Sequence, residues 1–251
     1  MGWLEDLSKL LPVEKVYSDV AQPAAKQVGG ALESTVKAAR WIIAPLDYLA
    51  AQNDRYQKFL QRVVEKVPED RRIEAHPQIA GPTLDGLKYV PDDSVIAEMF
   101  LNLLARAIDR ERVKEAHPAF HQIIAQLSPD EAVVLFHLKQ KSYLYKTYAK
   151  YHVATRTFSP REVIENEFPV EALLVPENYS LYMDHLYSLN LAGIWQQGNQ
   201  EPVMEGNPTV QTGVRIMSLA QLTPFGQLFA KACSPEQLSA STIVRGTTSG
   251  L

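Results

Sequence analysis

Lysine and tyrosine interleave closely from Lys139 to His152, in the run K-Q-K-S-Y-L-Y-K-T-Y-A-K-Y-H, and Arg156 and Arg161 lie just beyond it. Phenol rings stack on planar bases while ammonium groups meet phosphates, so this composition suits an anionic polymer. Lys139, Lys141, Lys146, Lys150 and Arg156 are the candidate contacts. The same run also reads as a long helix that turns its rings inward and leaves its lysines in water, and that reading is preferred. A second set, Glu98, Asn102, Arg106 and Asp109, recurs every three or four residues and forms one polar stripe on a helix. Facing a cleft, such a stripe would serve acid–base chemistry; on an ordinary helix the same spacing makes ion pairs, which is the expectation here. Asn102, flanked by Leu101 and Leu103, is expected to be partly buried and to need specific hydrogen bonds.

Other chemistries find less support. His117 and His121 are four residues apart, a spacing that places two imidazoles on one helical face. Pro118 puts His117 at the cap, no third ligand is evident, and no metal site is assigned. Cys233 comes after Phe229, Ala230 and Ala232 and reads as a core residue. There is no G-x-S-x-G elbow and no glycine-rich phosphate loop. No catalytic, metal-binding or cofactor-binding residue is therefore expected, and the chain reads as a non-enzyme.

At 251 residues, with 46% hydrophobic and 22% charged residues, the chain has the composition of a globular protein. The lone cysteine allows no internal disulfide, and the acidic residues in M-G-W-L-E-D-L contradict a secretory signal, so a cytoplasmic setting is expected. No apolar run is long enough to span a membrane. The formal charge of −4 is uneven: Ala132–Arg161 holds six basic and no acidic residues, which leaves −10 on the remainder.

The elements that must position these groups are read mainly as helices. Residues 3–66 give interrupted helices, with Leu49, Tyr56, Phe59, Leu60, Val63 and Val64 on one stripe before Pro68. Val28–Leu49 is mildly amphipathic, with Lys37, Arg40 and Trp41 beside an apolar run, and reads as a core helix rather than a membrane-surface one. Ile79–Leu87 forms short helical turns around Pro82. A central helix starts after Asp92 or Asp93, either of which can cap it. Ile96, Met99, Phe100, Leu103, Leu104, Ala107 and Ile108, with Ala97 and Leu101 at one edge, cover more than half its circumference, so it must be buried. Pro118 suits the first turn of a helix reaching Gln126. Ser128-Pro129-Asp130-Glu131 and Ser159-Pro160-Arg161-Glu162 both have the form of a capping box, and Thr223-Pro224 and Ser234-Pro235 repeat the cap and proline.

Further on, Tyr179–Leu191 repeats leucine and tyrosine at helical spacing and runs into L-A-G-I-W, with Gly193 as terminator. A loose stretch, Gln196–Gly213, precedes Val214–Leu222, where Val214, Ile216, Ser218 and Ala220 alternate with Arg215, Met217, Leu219 and Gln221. The resulting order resembles a winged-helix domain with the hairpin as wing. The expected architecture is thus mainly α: an N-terminal multi-helix bundle over 1–127, a C-terminal winged-helix-like domain with one β-hairpin over 128–238, and a disordered tail over 239–251. Tyr179–Leu191 contains no lysine or arginine, so DNA binding through this domain is the secondary reading.

Several blocks carry a wider resemblance. I-A-G-P-T-L-D-G-L-K-Y at 79–89, E-M-F-L-N-L-L-A-R-A-I-D at 98–109, A-H-P-A-F at 116–120 and I-I-A-Q-L-S-P-D-E-A at 123–132 resemble the abortive infection alpha family of bacterial proteins, as do L-P-V-E-K-V-Y-S-D-V at 11–20 and L-T-P-F-G at 222–226. The resemblance implies a phage-defence protein that arrests or kills the infected cell. It transfers no active site; Asn102, Asp109, His117, Pro118 and Phe120 match the motif without an assigned role. The resulting expectation is a non-enzymatic defence protein acting on a protein partner or phage component. A DNA-binding regulator and a membrane-active or nucleic-acid-targeting effector are the alternatives.

Overall fold

The computed structural model describes residues 55–238. Sequence expectations for residues 3–54, including the amphipathic Val28–Leu49 stretch, and for the tail after 238 lie outside these residues. The described chain divides into two compact units, residues 55–126 and 127–238.

The first unit is helical. Helix α1 covers residues 55–65 and buries Phe59, Leu60 and Val63. Helix α2 (Pro77–Gly86) contains Pro82, as the sequence suggested. Helix α3 (Val95–Ala107) is the central apolar element and buries ten of its thirteen residues. Its cap is Ser94, whose hydroxyl accepts from the Ala97 amide at 3.1 Å, in place of the expected Asp92 or Asp93. A short helix α4 (Phe120–Ile124) comes next, with Pro118 just outside it. No helix among the described residues is long and apolar enough to cross a membrane.

The second unit overturns the mainly α, winged-helix expectation. Helix α5 (Pro129–Gln140) does begin with a complete capping box: the Glu131 amide bonds Ser128 Oγ at 3.2 Å, and the Ser128 amide bonds Glu131 Oε2 at 2.7 Å. It runs into strand β1 (Tyr143–His152), not into a longer helix. The lysine–tyrosine run obeys a period of two: Tyr143, Thr147 and Ala149 are buried while Lys150 is exposed, and aromatic and β-branched residues favour a pleated, half-buried surface. Strands β2 (Thr157–Phe158), β3 (Glu162–Asn166), β4 (Ala192–Gln196), β5 (Glu201–Glu205) and β6 (Val210–Leu222) complete a six-stranded antiparallel sheet. β1 and β6 are its centre, paired from Tyr143↔Ala220 to Lys150↔Gly213. β2 and β3 flank β1, and β4 and β5 flank β6. The strand expected to be one arm of a wing is therefore the middle of a sheet, and the stretch expected to be loose contains β5.

Two local expectations fail for identifiable reasons. Ser159-Pro160-Arg161-Glu162 caps no helix; Ser159 is tied to β1, its amide donating to the Lys150 carbonyl at 2.8 Å and its hydroxyl accepting from the Lys150 amide at 2.9 Å. Helix α6 (Tyr179–Ser188) is terminated by Asn190 just beyond its cap, and Gly193 lies within β4. Asn190 takes a left-handed φ of 56°, and the Asn190 and Leu191 amides return to the Tyr187 and Leu186 carbonyls at 2.9 Å. This is a Schellman ending with asparagine in the usual glycine position. Helix α7 (Pro224–Cys233) starts as expected, with Thr223 Oγ1 accepting from the Gly226 amide at 2.8 Å, and buries Cys233. Ser234-Pro235 starts no helix within the described residues.

Helix α5 is joined to α6 and to the backbone before it through Asp130 and Glu131, both about 95% buried or more. Asp130 accepts from the Leu174 amide at 2.8 Å, the Val175 amide at 3.0 Å and the Tyr182 hydroxyl at 2.8 Å. Glu131 Oε1 lies 2.5 Å from His185 Nδ1. Replacing Asp130 with alanine strands three donors, so Asp130→Ala should cost about 3 kcal/mol, read as a lower urea midpoint at unchanged m-value.

Candidate functional site

The alternation along β1 and β6 gives the sheet two unlike faces. Tyr143, Thr147, Ala149, Val214, Ile216, Ser218 and Ala220 are buried, on the side where α5 and α7 pack against β6. Beneath them Phe168 stacks on Tyr179, with ring centroids 4.7 Å apart, and meets Tyr143 at 5.2 Å and His137 at 5.5 Å. Burial lowers the His137 pKa and raises those of Tyr143 and Tyr179. This is core: desolvation disfavours the charged form of each group.

The opposite face is open. It presents Leu144, Lys146, Tyr148 and Lys150 from β1 and Arg215, Met217 and Leu219 from β6, with Trp195 of β4 level with Leu219. Met217 is 43% exposed, and Arg215 and Lys150 are exposed as well. Two glycines let aromatic rings approach the backbone of this surface closely. A Cβ on Gly213 would meet the Tyr148 ring within 2.5 Å, and one on Gly193 would meet the Trp195 ring at 2.8 Å. The Tyr148 hydroxyl is anchored to the Thr212 carbonyl at 3.2 Å, and Tyr187 lies beside Trp195 with centroids 6.4 Å apart. The result is an aromatic and apolar platform crossed by charges of both signs. Lys146 bonds Glu165 at 2.7 Å, and Arg215 stands opposite Glu201 in the register.

The five basic candidates do not converge. Lys139 belongs to α5 and donates to the Ser234 carbonyl at 3.3 Å. Lys141 lies over the Tyr143 ring at 4.7 Å, and Arg156 sits in the turn after β1 with a φ of 56°. Lys146 and Lys150 share the open face. Sequence reasoning already had the two faces of β6; the missed residues are Tyr148 and Trp195, whose signal was the period of two in β1 and the G-x-W spacing of β4.

The motif residues lie in the first unit, where ion pairs gather around α3. The polar stripe of α3 pairs outward instead of along its own helix. Glu98 bonds Arg62 at 2.6 Å and Lys66 at 2.5 Å, while Arg106 pairs with Glu115 at 3.2 Å. Asn102 is half-buried on the same helix. Asp109 is buried; it accepts from Arg71 Nε at 3.1 Å and from the Glu111 amide at 3.0 Å. Around it the Ile73 amide donates to the Ile108 carbonyl and the Arg110 amide to the Arg71 carbonyl, both at 2.9 Å. His117 is exposed and caps locally, its Nδ1 accepting from the Ala119 amide at 3.1 Å. Phe120 is fully buried. Among the described residues no three His, Cys, Asp or Glu side chains are placed to hold a metal ion.

The family described as abortive infection alpha matches residues 51–233. The chain belongs to that family. Its match spans both described units, so the open sheet is part of an abortive infection alpha protein and not an appendage to one. No curated protein and no solved structure matches the chain. In this abortive infection alpha chain the motif residue Asp109 fastens the segment before α2 to the end of α3.

Burial works against ionisation of Asp109, but the Arg71 hydrogen bond, the Glu111 amide and the charges of Arg71 and Arg112 outweigh it and hold its pKa below the ordinary value. A pKa lower in the folded than in the unfolded state stabilises the fold above the unfolded value and is lost as pH falls below it. Asp109→Asn should therefore cost about 2 kcal/mol at neutral pH and flatten the acid limb of the stability curve below about pH 4, measured by urea unfolding across pH.

Proposed function

We propose that this abortive infection alpha protein acts in phage defence without catalysis, through contacts with another protein made by the open face of its C-terminal sheet. The composition of that face carries the reading. Trp195, Tyr148, Met217 and Arg215 are residue types enriched at the centres of protein interfaces, and here they form one contiguous surface. Two of the rings are already fixed in place over Gly193 and Gly213, so little side-chain freedom is left to lose on binding. The charges on the face are mixed: Lys146 is paired with Glu165 and Arg215 faces Glu201. A nucleic-acid surface needs an excess of positive charge to release counterions, so the mixture favours protein.

The test is expression in a susceptible bacterium challenged with a panel of phages at low and high multiplicity. Cultures should survive at low multiplicity and collapse at high multiplicity. Met217→Asp combined with Arg215→Glu alters exposed positions and should cost under about 1 kcal/mol in stability, yet phage should plate on this strain as on cells without the protein. Full protection by the double variant would overturn the role assigned to the face.

A further inference from the structure

Strand β3 is an edge with an unusual degree of exposure. It pairs with β1 on one side, and no backbone–backbone hydrogen bond outside that ladder involves Glu162–Asn166 among the described residues. All of Glu162–Glu165 are exposed, including Val163 at 53% and Ile164 at 50%. Proteins usually blunt such an edge with lysine, proline or a covering element. Within β3 there is no lysine or proline; the strand is short, carries the acidic Glu162 and Glu165, and has a register shift opposite Lys146/Thr147.

We propose that β3 accepts an extended, basic segment of a partner protein as an added strand; the inference rests on the reading that this sheet makes protein contacts. Unpaired backbone groups along β3 supply the hydrogen bonds of strand addition, and β-branched Val163 and Ile164 supply apolar contact on alternate sides. Charge selects the occupant. Glu162, Glu165 and Glu167 are exposed along this edge, and among the described residues Lys146 is the only cation bonded to any of them. Facing carboxylates destabilise a strand pair, whereas lysine or arginine opposite them stabilises it. The same argument disfavours a second copy, whose β3 would bring its own carboxylates to the pairing.

The experiment measures fluorescence anisotropy of the full chain with a short labelled peptide alternating lysine and valine. Two comparison peptides are its glutamate–valine counterpart and a lysine–valine analogue N-methylated at alternate backbone nitrogens. The lysine–valine peptide should bind saturably, and both comparison peptides should bind roughly tenfold or more weakly. Glu162→Lys combined with Glu167→Lys, both at exposed positions, should transfer the preference to the glutamate–valine peptide, with unchanged circular dichroism. No saturable binding, equal binding of the N-methylated analogue, or an unchanged preference in the variant would each overturn the proposal. The phage assay separates this result from the broader reading. Failure of the peptide with protection still dependent on Met217 and Arg215 removes strand addition alone. Peptide binding with protection indifferent to those two residues removes the open-face reading alone.

Discussion

The C-terminal unit hangs on the first turn of α5. Two consecutive carboxylates, Asp130 and Glu131, are buried there, where the positive end of the helix dipole and unpaired amides favour negative charge. Between them they close the capping box, fasten the 174–175 backbone, and reach Tyr182 and His185 on α6. Burying an acid without partners is expensive, so each of these bonds constrains the others. The chain leaving α5 continues as β1, and the chain leaving α6 turns at Asn190 into β4. The Leu191 carbonyl then receives the Thr223 amide at 2.9 Å, which registers the start of α7 against the end of α6.

The first unit depends on a different arrangement. Its central helix, α3, is so broadly apolar that only a narrow polar strip remains, and each charged group on that strip bonds a different segment. Such pairs contribute direction more than energy: they fix which neighbour lies at which level of the helix. Asp109, the most buried of them, converts the helix end into a bracket for the Arg71–Ile73 backbone.

The legible parts of this structure were those governed by residues close in sequence. The apolar stripe of α3, Pro82 inside α2, the capping box at Ser128 and the alternation of Val214–Leu222 all come from local spacing. The two S-P-x-E tetrapeptides show where that stops. After Glu131 the chain reads A-V-V-L-F-H-L, an apolar run long enough to bury one helix; after Glu162 it reads V-I-E-N-E-F-P, where Pro169 limits any helix to about two turns and the apolar residues are few. The cap signature is the same in both tetrapeptides, and the apolar pattern downstream of each decides between helix and strand. In the lysine–tyrosine run both periods were present, and pairing with β6, some seventy residues away in sequence, selected the strand. The candidate site was legible by halves: the β6 side in the sequence, the β1 and β4 sides only once the strands were adjacent.

Gly193 and Gly213 contribute no side-chain atoms to the open face, yet they determine its relief. Each provides the hollow into which a neighbouring ring settles, so the Trp195 indole and the Tyr148 phenol come close to the backbone of the sheet. A methyl group at either position would clash with the ring and force it to shift, changing the relief of the face. The contour available for recognition is thus written at the two positions that a catalogue of its visible side chains would omit.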